Sequence, residues 1–427
     1  MSARIAVIGT GYVGLTTGVC LAELGHTVVC ADIDADKVAR LTAGEVPIVE
    51  EGLAGLLASG LASGRLSFVV GAAAAAATCE IAFLCVPTPQ GDDGSADLSY
   101  IEAASAEIGP VLPTGAIVVN KSTVPVGSAR AVERVIQRND IHVVSNPEFL
   151  REGSAVRDFM HPDRVVVGAD DRAAAERVAG LYASLGARTI ITDPASAETI
   201  KYAANAFLAT KLSFVNAIAA ICEGVGADIN DVVEGIGTDK RIGSAFLQPG
   251  PGWGGSCFPK DSRALVKIAE DAGYDFDLLS GVITVNAQQF DRVATKIANA
   301  AGGSLADKTI AVWGLTFKAR TDDLRESPSL EIVNRLLASG ARVVAHDPTV
   351  PAHRVGVPRA VELAASPVDA CRDADALCVL TEWDDYKHIS AESVAAVMRG
   401  RGVLDGRNLL DRSAWTSAGF SYQGIGR

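Results

Sequence analysis

The chain predicts an α/β protein: two Rossmann-like open parallel-sheet domains joined by a central helical region with a long spine helix. Three observations predict this. Short β-rich runs alternate with helical segments up to about residue 192, long helical patterns replace them between residues 195 and 299, and the alternation resumes after Lys308. A chain of 427 residues exceeds what one hydrophobic core organises, and 48% hydrophobic content is ample for several. The expected domains are residues 1–194, 195–300 and 301–427.

In the first part the expected strands are residues 5–8, 27–30, 81–85, 117–119, 143–144, 165–167 and 189–191, each rich in Val and Ile. The alanine run 72–77 reads as loop and helix filler. Residues 5–24 are apolar enough to suggest a signal peptide. They carry Gly9, Gly11, Gly14, Gly18 and Glu23 in turn and helix positions, so they read as a buried strand followed by a helix. The spine helix is expected over residues 198–225, Ala-rich and interrupted only at Gly224, with a dimer interface as a second role. The last strands are expected at 309–314, 342–347, 376–380 and 402–405, in a half that has no complete G-x-G-x-x-G.

A formal charge of −13 argues against a general nucleic-acid or membrane-surface binder, so any phosphate-bearing ligand must be held by a small, specific site. No other stretch has the uninterrupted apolar length of a bilayer span. The eight cysteines lack C-x-x-C spacing, which points to reduced thiols and to no metal site. A soluble cytoplasmic protein is expected.

Gly9-Thr10-Gly11-Tyr12-Val13-Gly14 follows a strand and opens a helix, and Asp32 ends the next strand about 20 residues on. The glycines let backbone approach a pyrophosphate, the helix N-terminus favours its charge, and the Asp32 carboxylate suits a ribose diol. Asp32 would repel a 2′-phosphate, so NAD is expected rather than NADP. The alternative is a glycine-rich turn without ligand. Lys37 is either a cofactor contact or a solvated helix lysine.

Gly254-Gly255-Ser256-Cys257-Phe258-Pro259-Lys260-Asp261 places a thiol beside an acid and a base where a helix should start, with Pro259 suited to its first position and Gly273 to its end. The positive end of a helix dipole favours a thiolate. A nucleophilic thiol together with a hydride acceptor suggests oxidation through a thioester. The other seven cysteines fit small buried hydrophobes.

Three pairs stand four residues apart, a spacing that puts both members on one side of a helical turn: Glu148 with Glu152, Lys201 with Asn205, and Cys257 with Asp261. The plainer readings are an acidic loop paired with Arg151 for the first and a solvated polar face for the second. Lys121-Ser122-Thr123 follows a strand, where Thr123 would orient water or cofactor or merely cap a helix. Lys318, Arg325 and Arg407 lie after strand ends, positions that suit a diphosphate.

Taken together, these segments resemble the UDP-glucose 6-dehydrogenase family, part of the UDP-glucose/GDP-mannose dehydrogenases, over essentially the whole chain. To the motifs above the resemblance adds Val86-Pro87-Thr88-Pro89, the stretch 146–153 and His161-Pro162-Asp163-Arg164. It implies four-electron oxidation of the C6 alcohol of UDP-glucose with two NAD. Cys257 would be the nucleophile, Lys201 and Asn205 would stabilise oxyanions, Asp261 and Thr123 would position water, and Glu148 would assist thioester hydrolysis. Cofactor contacts would be Gly9, Gly11, Tyr12, Val13, Gly14, Asp32, Lys37, Pro87, Thr88, Thr123, Glu152, Lys260 and Arg325. Sugar-nucleotide contacts would be Phe149, Leu150, Arg151, Glu152, Lys201, Asn205, Phe246, Leu247, Gln248, Pro249, Gly250, Gly254, Lys318 and Arg407. Arg241 would reach a neighbouring subunit's sugar site, implying a homodimer or higher homo-oligomer. Departures are small, such as Trp253 where relatives often have Phe or Tyr.

Three alternatives stay open on the sequence: a sister enzyme acting on GDP-mannose or a UDP-N-acetylhexosamine, a two-electron β-hydroxyacid dehydrogenase, and a catalytically silent NAD-binding scaffold. The second would not need Cys257.

Overall fold

The computed structural model describes residues 2–91, 96–351 and 355–427. The first sheet contains β1 (Arg4–Ile8), β2 (Thr27–Asp32), β3 (Leu66–Val70), β4 (Ile81–Leu84), β5 (Ile117–Asn120), β6 (His142–Ser145), β7 (Arg164–Gly168) and β8 (Arg188–Thr192). Their order is β3-β2-β1-β4-β5-β6-β7-β8, parallel throughout except where β6 meets β7 at Ser145 and Gly168. Successive residues of β1 feed opposite faces: Ile5 and Val7 join one core, Ala6 and Ile8 the other. Both faces are covered by helices, which is why these strands read as continuous apolar runs.

The second sheet contains β9 (Thr309–Trp313), β10 (Arg342–His346), β11 (Val361–Leu363), β12 (Ala376–Val379), β13 (Gly402–Asp405) and β14 (Ser421–Gln423). Its order, β11-β10-β9-β12-β13-β14, is wholly parallel and repeats the 3-2-1-4 arrangement that begins the first sheet. Chain direction around the sheet reverses between β1 and β4 in one and between β9 and β12 in the other, and crevices for ligands open at such points.

The middle of the chain is helical: Pro194–Val225, Ile229–Gly237, Phe258–Asp271 and Asp277–Ala300. The spine starts at Pro194, four residues before the expected Glu198, because a proline suits a helix start. By length and mean hydropathy this helix passes as a bilayer span, contrary to the expectation that no stretch beyond 5–24 has that character. It nevertheless buries Glu198, Lys201, Asn205, Ser213 and Asn216, each hydrogen-bonded to protein, the pattern of a helix built into a fold.

The chain divides into two compact units, Met1–Ala204 with Arg263–Gly273, and Asn205–Ser262 with Tyr274–Arg427. Two of the three junctions, 204/205 and 262/263, fall inside helices, so the residues of interest are described unit by unit.

Candidate active site

In the first unit the fingerprint turn has three glycines with three environments. Gly9 has φ +94°, and a Cβ there would lie 2.7 Å from the Cys85 carbonyl oxygen; at Gly14 it would lie 1.9 Å from the Gly9 oxygen. At Gly11 it would meet nothing within 4 Å. Gly9 and Gly14 therefore serve the turn and the helix packing, whereas Gly11 opens to space a pyrophosphate would occupy. Tyr12 begins the Tyr12–Glu23 helix, and no side chain caps it.

Asp32, at the end of β2, accepts the Thr10 backbone N–H at 3.0 Å and the Lys37 ammonium at 3.0 Å. Burial pushes its carboxyl up, but hydrogen bonds from Thr10, Lys37 and Asp34 prevail and hold it down at about 2. One oxygen takes the Thr10 and Lys37 donors, and the other takes only the Asp34 N–H at 3.2 Å, leaving room for a ribose hydroxyl. These residues fit NAD. Lys37 is thus the partner of Asp32, not a solvated lysine.

Glu50 was not expected in this region. Buried at 9% exposure, its carboxylate accepts the Tyr12 hydroxyl, the Gly153 N–H at 2.8 Å and the Val156 N–H at 3.3 Å. It joins the fingerprint turn to the end of the 146–153 loop.

That loop follows β6 and is not helical, so Glu148 and Glu152 do not share a helical turn; their four-residue spacing arises in an irregular segment. Nor is Glu148 an exposed partner of Arg151, which pairs with Asp158 at 2.5 Å. Glu148 is buried and pairs with Lys201 at 2.9 Å, the two side chains being 4% and 5% exposed. The Phe149 ring is stacked against the Arg164 guanidinium, 3.5 Å from the ring centroid, with the Lys201 ammonium 5.4 Å from it. Arg164 was seen only as part of a matching segment, and this stacking gives it a place. Thr123 lies in the loop after β5 and caps no helix: its carbonyl accepts the Thr88 hydroxyl at 2.9 Å, while the following helix, Ser128–Ile136, has Gly127 at its N-cap. Glu198 reaches from the spine to accept the Gly127 and Ala129 N–H groups at 2.7 and 3.0 Å.

In the second unit, Cys257 is the N-cap of the Phe258–Asp271 helix. Its carbonyl accepts the Asp261 N–H at 2.9 Å, the first bond of that helix, which puts Pro259 in the second position instead of the expected first. The missing proline N–H would have had no intrahelical partner in either place. Cys257 is partly exposed, and the other seven cysteines are buried. The preceding glycines are required by close approach: a Cβ at Gly254 would lie 1.9 Å from the Glu326 carbonyl oxygen, and one at Gly255, with φ +82°, would lie 2.8 Å from the Phe317 ring.

Asp261 is fully buried and accepts Asn205 Nδ2 at 2.6 Å and Lys260 Nζ at 2.6 Å. Lys260, expected as a cofactor contact, is here the partner of Asp261. One helical turn separates Asn205 from Lys201 on the spine.

The loop 246–254 is fastened from both sides. Gly250 donates its N–H to Asn216 at 2.9 Å and accepts from Gln289 at 2.8 Å; Trp253 exchanges backbone bonds with the Asn286 amide and donates its indole N–H to Ser213 at 2.8 Å. Ser213, Asn216, Asn286 and Gln289 had no sequence signal, since each is an ordinary polar residue on a helix.

After β9 and β13, Arg407 donates to the carbonyls of Leu380 at 2.8 Å and Phe317 at 3.0 Å and lies against Gly250, whose Cβ would be 3.3 Å from its guanidinium. Lys318 sits 5.5 Å from the Phe317 ring centroid. Arg325 forks onto Asp323 and Arg241 onto Asp239, both largely exposed. Asp347 stands where Asp32 stands in the first sheet, but one of its oxygens takes Leu315 and Thr316 N–H, the Thr316 hydroxyl and the Trp383 indole, and the other takes Thr349 twice. Among the described residues no group of three or more His, Cys, Asp or Glu is arranged to hold a metal ion.

Comparison with known proteins agrees with this chemistry. Residues 3–186 match the NAD binding domain of the UDP-glucose/GDP-mannose dehydrogenase family, residues 195–288 its central domain and residues 311–412 its UDP binding domain. The chain is 46% identical to a UDP-glucose 6-dehydrogenase of Pseudomonas aeruginosa over 441 aligned residues, covering 99% of this chain and 97% of that protein. A UDP-glucose dehydrogenase from Pyrobaculum islandicum has the same fold, with a TM-score of 0.90 at 38% identity over 97% of this chain and 98% of that one. So does a UDP-D-ManNAc dehydrogenase from Pyrococcus horikoshii, with a TM-score of 0.89 at 29% identity over 99% of each chain. The chain is therefore an NAD-dependent oxidoreductase and belongs to the UDP-glucose/GDP-mannose dehydrogenase family.

Proposed function

We propose that this enzyme oxidises UDP-glucose to UDP-glucuronate in two successive two-electron steps at one site. The observation that carries the reading is Cys257, a partly exposed thiol at a helix N-cap, in a chain whose other thiols are buried. The Gly9–Gly14 turn and Asp32 would hold two NAD molecules in succession, which would supply a hydride acceptor for each oxidation. The chain's own groups do the rest.

The first step turns the C6 alcohol into an aldehyde, and the released hydroxyl proton passes to the water that Asp261 and Thr123 position. The Cys257 thiolate then adds to C6, forming a carbon–sulfur bond and an oxyanion that Lys201 and Asn205 stabilise. Departure of the second hydride leaves a thioester. Water, assisted by Glu148, attacks it; the carbon–sulfur bond breaks, the thiolate leaves and the acid ionises. Lys201 is paired with Glu148 at 2.9 Å, so a proton can move between oxyanion and carboxylate without crossing solvent.

Loops 149–152 and 246–250 with Gly254, Lys318 and Arg407 would hold the sugar nucleotide. Lys260 and Arg325 would complete the cofactor site by exchanging their present carboxylate partners for phosphate oxygens. A second copy of the chain supplies Arg241, whose side chain is 89% exposed, and docks along the spine, where Phe207, Phe214 and Ile221 stand exposed at seven-residue intervals. Eight thiols without a disulfide suit the cytoplasm.

The test is NADH formed per limiting UDP-glucose at 340 nm. Two are expected; one would mean a simple alcohol dehydrogenase. The Pyrococcus relative favours one second reading, a UDP-N-acetylhexosamine substrate, and two NADH from that sugar with none from UDP-glucose would select it. Cys257→Ser should bind NAD and sugar yet stall short of the acid, and steady acid production by it, seen by mass spectrometry, would remove the thioester from the mechanism.

A further inference from the structure

We propose that Lys121 is a positioning residue of this reaction, its charge holding Asn146 and with it the loop that carries Glu148 to Lys201. The inference rests on the function proposed above, and all the contacts it uses lie within the first unit.

Lys121 directly follows β5 and is buried at 5% exposure. Its ammonium donates to Asn146 Oδ1 at 3.1 Å and to the Tyr182 hydroxyl at 3.4 Å, and it lies 5.5 Å from the Tyr182 ring centroid. These are neutral partners; the neighbouring buried carboxylate, Glu148, is bonded to Lys201 and to the Leu150 N–H at 2.6 Å. Burying an ammonium without a carboxylate of its own is costly, and an apolar side chain of similar length would fill the space without that penalty. A role outside packing accounts for the cation.

The first part of that role is geometric. The Asn146 oxygen takes both Lys121 and, at 2.6 Å, the Tyr182 hydroxyl, while its Nδ2 donates to the Val166 carbonyl at 2.7 Å. The side chain is fixed from three directions at the root of the loop, and only Pro147 separates it from Glu148.

The second part is electrostatic. The ionisable groups facing Lys121 are Glu148, Cys85, Lys201 and Tyr182. Burial pushes the Cys85 thiol up to about 12 and the Tyr182 phenol higher still, so both stay neutral at working pH. The Lys121 charge acts on its hydrogen bond to Asn146, since a charged donor holds an amide oxygen more tightly than a neutral one. Burial depresses Lys121 itself to about 8, with Glu148 opposing the fall and Lys201 adding to it, so the cation is present at neutral pH and is lost in mild alkali.

The test is the pH profile of kcat and KM for UDP-glucose, followed by NADH with the full-length enzyme. In Lys121→Gln and Lys121→Met the plateau of kcat should fall at least about fivefold, and the alkaline limb near pH 8 should disappear because no cation remains to be lost. KM should change less than about threefold and the thermal midpoint should hold or rise, because a buried charge has been removed. Tyr182→Phe, which keeps the charge, should leave the limb in place. Lys121→Arg, which cannot lose its proton, should extend the plateau above about pH 8 and remains informative should the other variants fail to fold. An unchanged alkaline limb in a folded Gln or Met variant, or an Arg profile that superimposes on the wild type, overturns the proposal. If the wild type does not yield two NADH per UDP-glucose the functional reading itself fails, whereas a wild type that passes with unmoved variant profiles sinks only the role of Lys121.

Discussion

Asp32 and the Lys201–Glu148 pair show two ways of keeping a carboxylate charged. Asp32 is largely shielded from solvent and is ringed by donors, which hold it at about 2, down from 3.8. With a depressed folded value, its stabilising contribution is complete above about pH 4 and is lost as pH falls toward about 2. NAD affinity measured by fluorescence quenching should therefore stay flat from neutral pH down to about pH 4. Glu148 instead pairs with Lys201 in a buried setting. Glu148→Gln strands Lys201 without its counter-charge, a change expected to cost on the order of 3–5 kcal/mol in denaturant unfolding and to slow thioester hydrolysis, seen as accumulated acyl-enzyme.

At the scale of the turn, glycines with different surroundings should respond differently to a single methyl group. Gly11→Ala meets no protein atom, so the thermal midpoint should hold while NAD affinity falls by at least about tenfold. Gly14→Ala drives a methyl into the Gly9 carbonyl and should lower the midpoint as well as the affinity. Gly254→Ala pushes against the Glu326 carbonyl in the other unit; activity should drop at least about tenfold with NAD binding untouched. A midpoint that fell equally in all three would refute the division of roles. The residues legible in advance were those whose neighbours in sequence are also their neighbours in space: the fingerprint, Cys257 with Asp261, Lys201 with Asn205. The strands β3, β11 and β14 escaped notice because they lie at the edges of their sheets, and β11 and β14 are only three residues long. Glu50 and Tyr182 escaped, and Lys121 and Asn146 stood only as members of motifs, because their partners lie 20 or more residues away, and nothing in a one-dimensional pattern distinguishes such a residue from any other polar one. The spacing of Glu148 and Glu152 misled because four residues means one helical turn only where there is a helix.

For the molecule as a whole, the exposed apolar stripe on the spine sets an expectation about assembly. Sedimentation velocity should find at least twice the chain mass of 44.1 kDa, and Phe214→Lys with Ile221→Lys should shift it toward the single chain. Unchanged mass would place the subunit contact elsewhere. The repeated strand order of the two sheets poses a different problem, since a chain with two similar crevices has to sort two similar nucleotides. Asp347 resolves it by occupancy. In the first sheet an oxygen of Asp32 keeps a lone pair for a ribose hydroxyl, and in the second both oxygens of Asp347 are saturated by protein donors. A dinucleotide that strays into the second crevice finds the same contour and no vacant acceptor, so the duplicated architecture carries its own address label.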